Sequence, residues 1–324
     1  MKGRRSNYLI TGLLLALITG SVIVYTLTHL NKKEEKQTIN QSNQWQAPNI
    51  ETLDNSETAN LIRYGRTLIS NTAAYLGPKG KIAQVSNGMN CQNCHLNAGT
   101  KLFAGNFALV ASSYPKYRSR SGKTESIEFR INECMERSLN GKKLDSSSRE
   151  MQAMVAYLKW VGKDIKKGTH PNGTGMDELP LLNRAANAAN GQIIYTGKCK
   201  ICHGANGEGV PSPDSVGYNY PPVWGENSYN VSAGLYRITR LAYFVKHNMP
   251  YKIADATPLT DEEVWDVAAY VNSMKRPQKF FTYDWPDIKT KPVDYPFGPY
   301  ADSFTETQHK FGPFTEIKKA REKR

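Results

Sequence analysis

Cysteine is scarce in this chain, with five in 324 residues. The number is odd, so the five cannot all pair within one chain, and a fully disulfide-paired scaffold is excluded. Acidic residues are outnumbered, with 29 Asp and Glu against 42 Lys and Arg, a net charge of +13. Such a balance attracts anions, whether nucleic acid, anionic lipid or small oxyanions. Hydrophobic residues make up 39% and charged residues 22%. That is enough apolar side chain for a core, which excludes a wholly disordered chain. The length suggests about two domains, at roughly 150 residues each.

Charge is also missing between Arg5 and Lys32. Lys2, Arg4 and Arg5 precede an apolar run from Tyr8 to about Leu27. About 20 apolar residues are needed to cross a bilayer, and this run meets that length. No small-x-small cleavage site follows Tyr25, so residues 1–30 read as an uncleaved transmembrane anchor, with a cleaved signal as the alternative. The basic flank stays in the cytoplasm, which predicts a single-pass cell-membrane protein whose globular part is extracytoplasmic, in the periplasm. Residues 31–55 are polar and without hydrophobic periodicity, and read as a flexible tether.

Four of the five cysteines lie in two C-x-x-C-H motifs, Cys91-Gln92-Asn93-Cys94-His95 and Cys199-Lys200-Ile201-Cys202-His203. This spacing lets two thiols add to the vinyl groups of one haem and puts the adjacent histidine beneath its iron. No further C-x-x-C completes a zinc site. The chain is therefore expected to carry two covalently bound haem c groups. Cys91, Cys94, Cys199 and Cys202 become thioethers, and Cys134 remains the free thiol.

The surroundings of the two motifs repeat. Gly65-Arg66-Thr67-Leu68-Ile69-Ser70 leads to the first, and Gly191-Gln192-Ile193-Ile194-Tyr195-Thr196 to the second. A helix is expected after each, around Met151–Trp160 and around Asp261–Val271. Val264, Val267, Ala268 and Val271 fall at helical spacing, and Thr260 with Glu263 forms a capping-box pattern. A leading helix, C-x-x-C-H, a loop and a closing helix with an aromatic is the pattern of class I cytochromes c. The predicted fold is mostly α, with two such domains at 56–165 and 182–278 and a turn-rich linker at 166–181. The tail, 279–324, is too proline-rich for long helices and is expected to wrap the domains. Its last ten residues, Thr315–Arg324, look disordered.

The sixth iron position separates the two centres. Met249, followed by Pro250, lies where such cytochromes place a thioether, and Met ligation suits electron transfer. His247 is a competing ligand and core packing the plain alternative. The first domain has no Met-Pro at the matching place. It has a segment, Thr124 to Leu139, that reads as a helix ended by Asn140-Gly141. Arg130, Cys134 and Ser138 are four apart and share a face. A haem iron and a nearby arginine would both favour the Cys134 thiolate, as ligand or catalytic group; a small buried cysteine is the alternative, and Met135 another possible ligand.

The segment Asn132-Glu133-Cys134-Met135-Glu136-Arg137-Ser138-Leu139-Asn140-Gly141, between two C-x-x-C-H motifs, resembles the thiosulfate dehydrogenases. So do Asp284-Trp285-Pro286-Asp287, Lys291-Pro292-Val293-Asp294, Pro296–Asp302 and Gln308–Phe314. The resemblance covers about 60–315. It implies a dihaem cytochrome c that interconverts thiosulfate and tetrathionate. It also implies an active-site haem with His95 and Cys134 as axial ligands, and an electron-transfer haem with His203 and Met249. Substrate is then bound by Arg120 and Arg130, with Ser138 beside them; Arg118 competes with Arg120 for its match. Some relatives keep a lysine just before the methionine, where this chain has Asn248.

The residues agree with that chemistry. Two thiosulfate dianions repel, and arginines supply charge-assisted hydrogen bonds to their oxygens. From Lys101 to Lys143 there are nine Lys and Arg against four Glu, an excess that suits an anion funnel. Cys134 could transiently carry substrate sulfur as a persulfide-like adduct. The expected partners are thiosulfate or tetrathionate, a cytochrome that accepts or donates electrons or the membrane respiratory chain, and the membrane itself. Nucleic acid is not expected, since no such motif is present. Two alternatives are a membrane-anchored dihaem electron shuttle without enzymatic activity, and a haem–thiolate enzyme acting on sulfur bound to a carrier protein.

Overall fold

Hydroxyl side chains start the principal helices. Ser56 accepts from the Ala59 N–H and begins helix α1, Glu57–Ser70. Ser126 accepts from Phe129 N–H and begins α2, Ile127–Arg137. Ser148 accepts from Met151 N–H and begins α3, Arg149–Val161. In the second half Asn187 caps α4, Ala188–Ile194. Helix α5, Ile238–Asn248, follows, and Thr260 with Glu263 closes a complete capping box on α6, Asp261–Ser273. Each cap satisfies backbone donors that the first turn leaves open.

The computed structural model describes Tyr25, residues 44–253 and residues 258–323. The predicted anchor and most of the tether lie outside the described residues. Among the described residues no helix is long and apolar enough to cross a membrane. Residues 47–324 form one compact unit.

The two halves repeat one packing device. Helix α1 crosses α3 at Gly65, where an added Cβ would stand 2.0 Å from the Ala153 carbonyl oxygen. Helix α4 crosses α6 at Gly191, where a Cβ would stand 1.9 Å from the Asp266 carbonyl oxygen. Only glycine permits backbones to approach that closely. Each crossing holds a leading helix against a closing helix and so sets the position of the C-x-x-C-H that follows it. Residues 166–181, between the halves, contain no helix.

Two short antiparallel hairpins accompany the helices. Strand β1, Lys116–Arg118, pairs with β2, Lys123–Glu125, in the register Lys116↔Glu125, Tyr117↔Thr124, Arg118↔Lys123. Strand β3, Val210–Pro211, pairs with β4, Tyr218–Tyr220. The first hairpin corrects the expectation of a helix from Thr124. Thr124 and Glu125 are strand, and the helix begins only after Ser126, whose hydroxyl supplies the cap. Asn140, at φ 44°, adopts the left-handed turn that follows the helix.

The tail wraps the body. Arg137 grips Asp284 through two bonds of 2.7 Å, and its guanidinium lies 3.9 Å over the Phe281 ring. Arg237 and Thr239 hold the buried Asp294. The expectation of disorder over Thr315–Arg324 is corrected: Phe314–Glu322 is helix α7. Phe314 and Ile317, one helical turn apart, are buried in the cluster that holds Trp265 and Val264. That burial secures a segment whose charge alone suggested solvent.

Candidate functional site

The first C-x-x-C-H is held by its neighbours' side chains. Asn90 Oδ1 accepts from Ala73 N–H at 2.8 Å, and Asn93 Oδ1 accepts from Asn90 N–H at 2.7 Å. Cys91 N–H donates to Thr72 Oγ1 at 3.0 Å. His95 Nδ1 lies 2.5 Å from the Gly105 carbonyl oxygen. A carbonyl only accepts, so Nδ1 is the donor in this bond, and the bond turns Nε2 away from Gly105. Phe107 packs beside the ring, centroid to centroid at 4.7 Å.

The second motif uses the same device. His203 Nδ1 lies 2.8 Å from the Pro221 carbonyl oxygen, leaving Nε2 as the free ligand atom. Burial pushes the His203 pKa down, with the Pro221 bond opposing, so the ring is held neutral. Met249 closes α5 and packs, partly buried, against Leu96, Ala104 and Phe244. His247, the competing ligand, is half-buried two residues before Met249. Its ring stacks on Phe103, 5.1 Å between centroids and 17° between planes, and tilts against Tyr243 at 4.5 Å.

Cys134 lies half-buried on α2. Burial pushes its thiol up, but Arg130 and then His95 outweigh it and bring the pKa to about 7. Cys134 in turn raises the pKa of Arg130, the largest influence on that guanidinium. Met135 is buried in the core at 1% exposure, so the sulfur that meets His95 on this helix is that of Cys134. Ser138 is the C-cap of α2, and its N–H donates to the Cys134 carbonyl at 2.9 Å.

Of the other predicted residues, Arg130 is one-third exposed and pairs with Glu133 at 3.1 Å. Arg120 is more deeply engaged. Its Nε is 3.3 Å from Asp284, its Nη2 donates to the Ser232 carbonyl at 2.9 Å, and its guanidinium lies near the rings of Trp285 and Tyr295. Arg118 stands directly across the hairpin from Lys123. Among the described residues Arg118 has no ion-pair partner. Like charges placed opposite each other destabilise a hairpin, and Lys123 turns its ammonium over the Phe129 ring, 4.2 Å from the centroid.

Sequence reasoning missed Tyr114. Burial raises its pKa, with Arg130 and Arg118 opposing and Glu125 and Cys134 adding, which gathers these groups around the phenol. It also missed Glu133, whose carboxyl is lowered against burial by Arg130, Arg137, Arg120 and Arg118. No spacing marks Tyr114, whereas Glu133 stands three residues after Arg130 and four before Arg137, a helical ion-pair spacing that could have found it.

The donor set suits haem. Two thiol pairs each precede a histidine whose Nδ1 is already satisfied, and the Gly105 and Pro221 carbonyls orient the two rings as iron ligands require. Arg276 is buried at 4% exposure with its guanidinium 4.2 Å over the Tyr229 ring, yet its Nε and Nη1 have no hydrogen-bond partner. A buried guanidinium with two open donors suits a carboxylate such as haem carries at its edge. Among the described residues no group of three or more His, Cys, Asp and Glu side chains is placed to hold a bare metal ion.

Comparison with known proteins agrees. Residues 81–166 match the family model described as SoxA/TsdA, cytochrome c domain, and residues 188–275 match Cytochrome c. The thiosulfate dehydrogenase of Psychrobacter arcticus is 36% identical over 241 residues, 74% of this chain and 71% of that one. The thiosulfate dehydrogenase of Allochromatium vinosum is 37% identical over 217 residues, 66% of this chain and 77% of that one. Among solved structures, the thiosulfate dehydrogenase (TsdBA) of Marichromatium purpuratum in its as-isolated form is similar with a TM-score of 0.69 at 27% identity. That match covers 79% of this chain and 54% of the other, so this chain spans about half the length of the solved relative. With two cytochrome c domains the protein carries two c-type haems, and the chain belongs to the thiosulfate dehydrogenase family.

Proposed function

We propose that the protein oxidises two thiosulfates to one tetrathionate beside Cys134, and that two electrons leave through the second haem. The observation that carries this reading is a partly buried free thiol, Cys134, one helical turn from Arg130 on α2, with the Arg130 guanidinium favouring its thiolate. A pure electron shuttle needs no such thiol and no converging arginines.

In this reading His95 and Cys134 would hold the iron of the first haem, and His203 and Met249 that of the second. Bound haem supplies acceptance of one electron at each iron. Arg130 and Arg118 hold the thiosulfate oxygens by charge-assisted hydrogen bonds, which offsets the repulsion between two dianions. Arg120, fixed by Asp284, adds positive potential from behind Glu133. Ser138 offers a hydroxyl at the end of the same helix, and the Tyr114 phenol borders the site.

Sulfur chemistry then proceeds on Cys134. Its thiolate would bond to the sulfane sulfur of one thiosulfate, giving a Cys–S–S–sulfonate adduct, and the two electrons given up would need the two haems as acceptors. The sulfane sulfur of the second thiosulfate attacks the adduct's sulfane sulfur. A new S–S bond forms, the bond to Cys134 breaks, and tetrathionate and the thiolate are released. The reverse sequence reduces tetrathionate.

The test is to mix the oxidised protein with thiosulfate and follow haem reduction, with Cys134→Ala alongside. Rapid reduction that the variant loses is the expected result. Full turnover by the variant would sink the adduct. No reduction by the parent would favour the shuttle.

The same proposal places residues 8–27 in the membrane and the globular part outside the cytoplasm, in the periplasm. It rests on the charge-free run itself and on its basic flank. Electrons would pass onward to a cytochrome or to the membrane respiratory chain.

A further inference from the structure

Asn248 is the last residue of α5, next to Met249, and is fully buried. Its side-chain amide is bonded on both ends. Oδ1 accepts from Lys101 Nζ at 2.9 Å, while Nδ2 donates to the carbonyl oxygens of Phe103, at 3.1 Å, and Phe244, at 3.0 Å. The reversed amide would set its NH2 against an ammonium and its oxygen against two carbonyls, so one orientation is enforced.

Lys101 and Phe103 belong to the loop that follows the first C-x-x-C-H. The same loop ends at Gly105, whose carbonyl holds His95 Nδ1. Residues 101–105 are thus bonded at one end to the histidine of the first centre and at the other to the neighbour of Met249. Leu96, which follows His95, packs in the same apolar cluster as Met249.

Phe103 shows that this loop is held under load. Its φ is 57°, a left-handed conformation that a bulky residue adopts only when its surroundings impose it. Three contacts impose it here. Its N–H donates to the Gly173 carbonyl at 2.9 Å, its carbonyl receives Asn248, and its ring stacks on His247.

We propose that Asn248 is a positioning residue for Met249, and that the 101–105 loop is a brace shared by the two haem centres. The proposal rests on the reading of Met249 as the second iron's ligand. An ordinary helix cap at Asn248 would affect stability alone. A positioning residue also governs how firmly Met249 is held, and Lys101 governs it equally from outside the helix.

The experiment uses the full-length ferric holoprotein without substrate. Four variants are compared with the parent: Asn248→Leu, Lys101→Met, Lys101→Arg and Met249→Ala. The readouts are the weak red absorption band of Met-ligated haem and the rate at which added imidazole displaces that ligand. Met249→Ala is expected to lose the band. Asn248→Leu and Lys101→Met are expected to bind imidazole about tenfold faster, equivalent to about 1.4 kcal/mol of lost hold. Lys101→Arg keeps a donor and should behave as the parent. If Asn248→Leu does not fold, Lys101→Met carries the test. Parental imidazole rates in both Asn248→Leu and Lys101→Met, with the band lost in Met249→Ala, would overturn the brace while leaving the ligand reading intact. A band that survives in Met249→Ala would remove the ligand reading and the brace with it.

Discussion

Arg137 and Asp284 lie 147 positions apart and form a two-pronged ion pair, both bonds at 2.7 Å. Arg137 is 2% exposed and sits on the helix that carries Cys134, while Asp284 comes from the tail. Removing Asp284 leaves Arg137 its ion pair with Glu133, at 3.3 Å, so the cost falls below the about 3–5 kcal/mol of a fully stranded buried charge. Asp284→Ala is therefore expected to lower the thermal midpoint and to loosen α2. An unchanged midpoint in calorimetry would show that the tail is dispensable to this helix.

Arg118 and Arg120 should separate by phenotype. A charge-assisted hydrogen bond contributes about 1.5–3 kcal/mol, so Arg118→Ala is expected to raise KM for thiosulfate roughly tenfold to a hundredfold at unchanged stability. Arg120→Ala should lower the thermal midpoint, because Asp284 and the Ser232 carbonyl lose a partner. Steady-state kinetics and melting curves on both variants decide it; the opposite pattern would return the substrate to Arg120.

Gly65→Ala and Gly191→Ala test the repeated helix crossing. A methyl group at 2.0 Å or 1.9 Å from a carbonyl oxygen forces the helices apart. Overpacking of this kind costs about 1–3 kcal/mol and occasionally more. Each variant is expected to lose stability in denaturant titration and to yield less haem-loaded protein in its own half. Parental stability in either would mean that the crossing can relax.

Asp302 supplies a pH prediction. Burial raises its carboxyl, but hydrogen bonds from His309 and Arg321 win and hold it below its ordinary value of 3.8. A carboxyl depressed by folding contributes stability that is full above the unfolded value and is lost as pH falls through the folded one. The parent should therefore lose stability below about pH 4, and Asp302→Asn should be less stable at neutral pH with a flatter acid profile. Equal slopes for the two proteins would exclude this contribution.

Much of the chain's chemistry was legible in order along the sequence. Cys91, Cys94 and His95, and Cys199, Cys202 and His203, depend on spacing within five residues. The helices around Arg149–Val161 and Asp261–Ser273 depend on local caps and 3.6-residue periodicity. The alignment of Arg130 with Cys134 is one helical turn and equally local. These features rest on short-range geometry, which composition and spacing carry directly.

The tertiary structure decided what local spacing cannot. It selected the Gly105 and Pro221 carbonyls that orient His95 and His203, since a carbonyl can come from any residue. It tied Arg120 to Asp284 and left Arg118 facing Lys123, because that choice depends on a tail residue far along the chain. It ordered Phe314–Glu322, whose two apolar side chains find a core made by α6. It also joined Asn248 to Lys101, 147 positions away. The sequence determined which atoms can do the chemistry. Long-range packing and electrostatics decided which of them face one another.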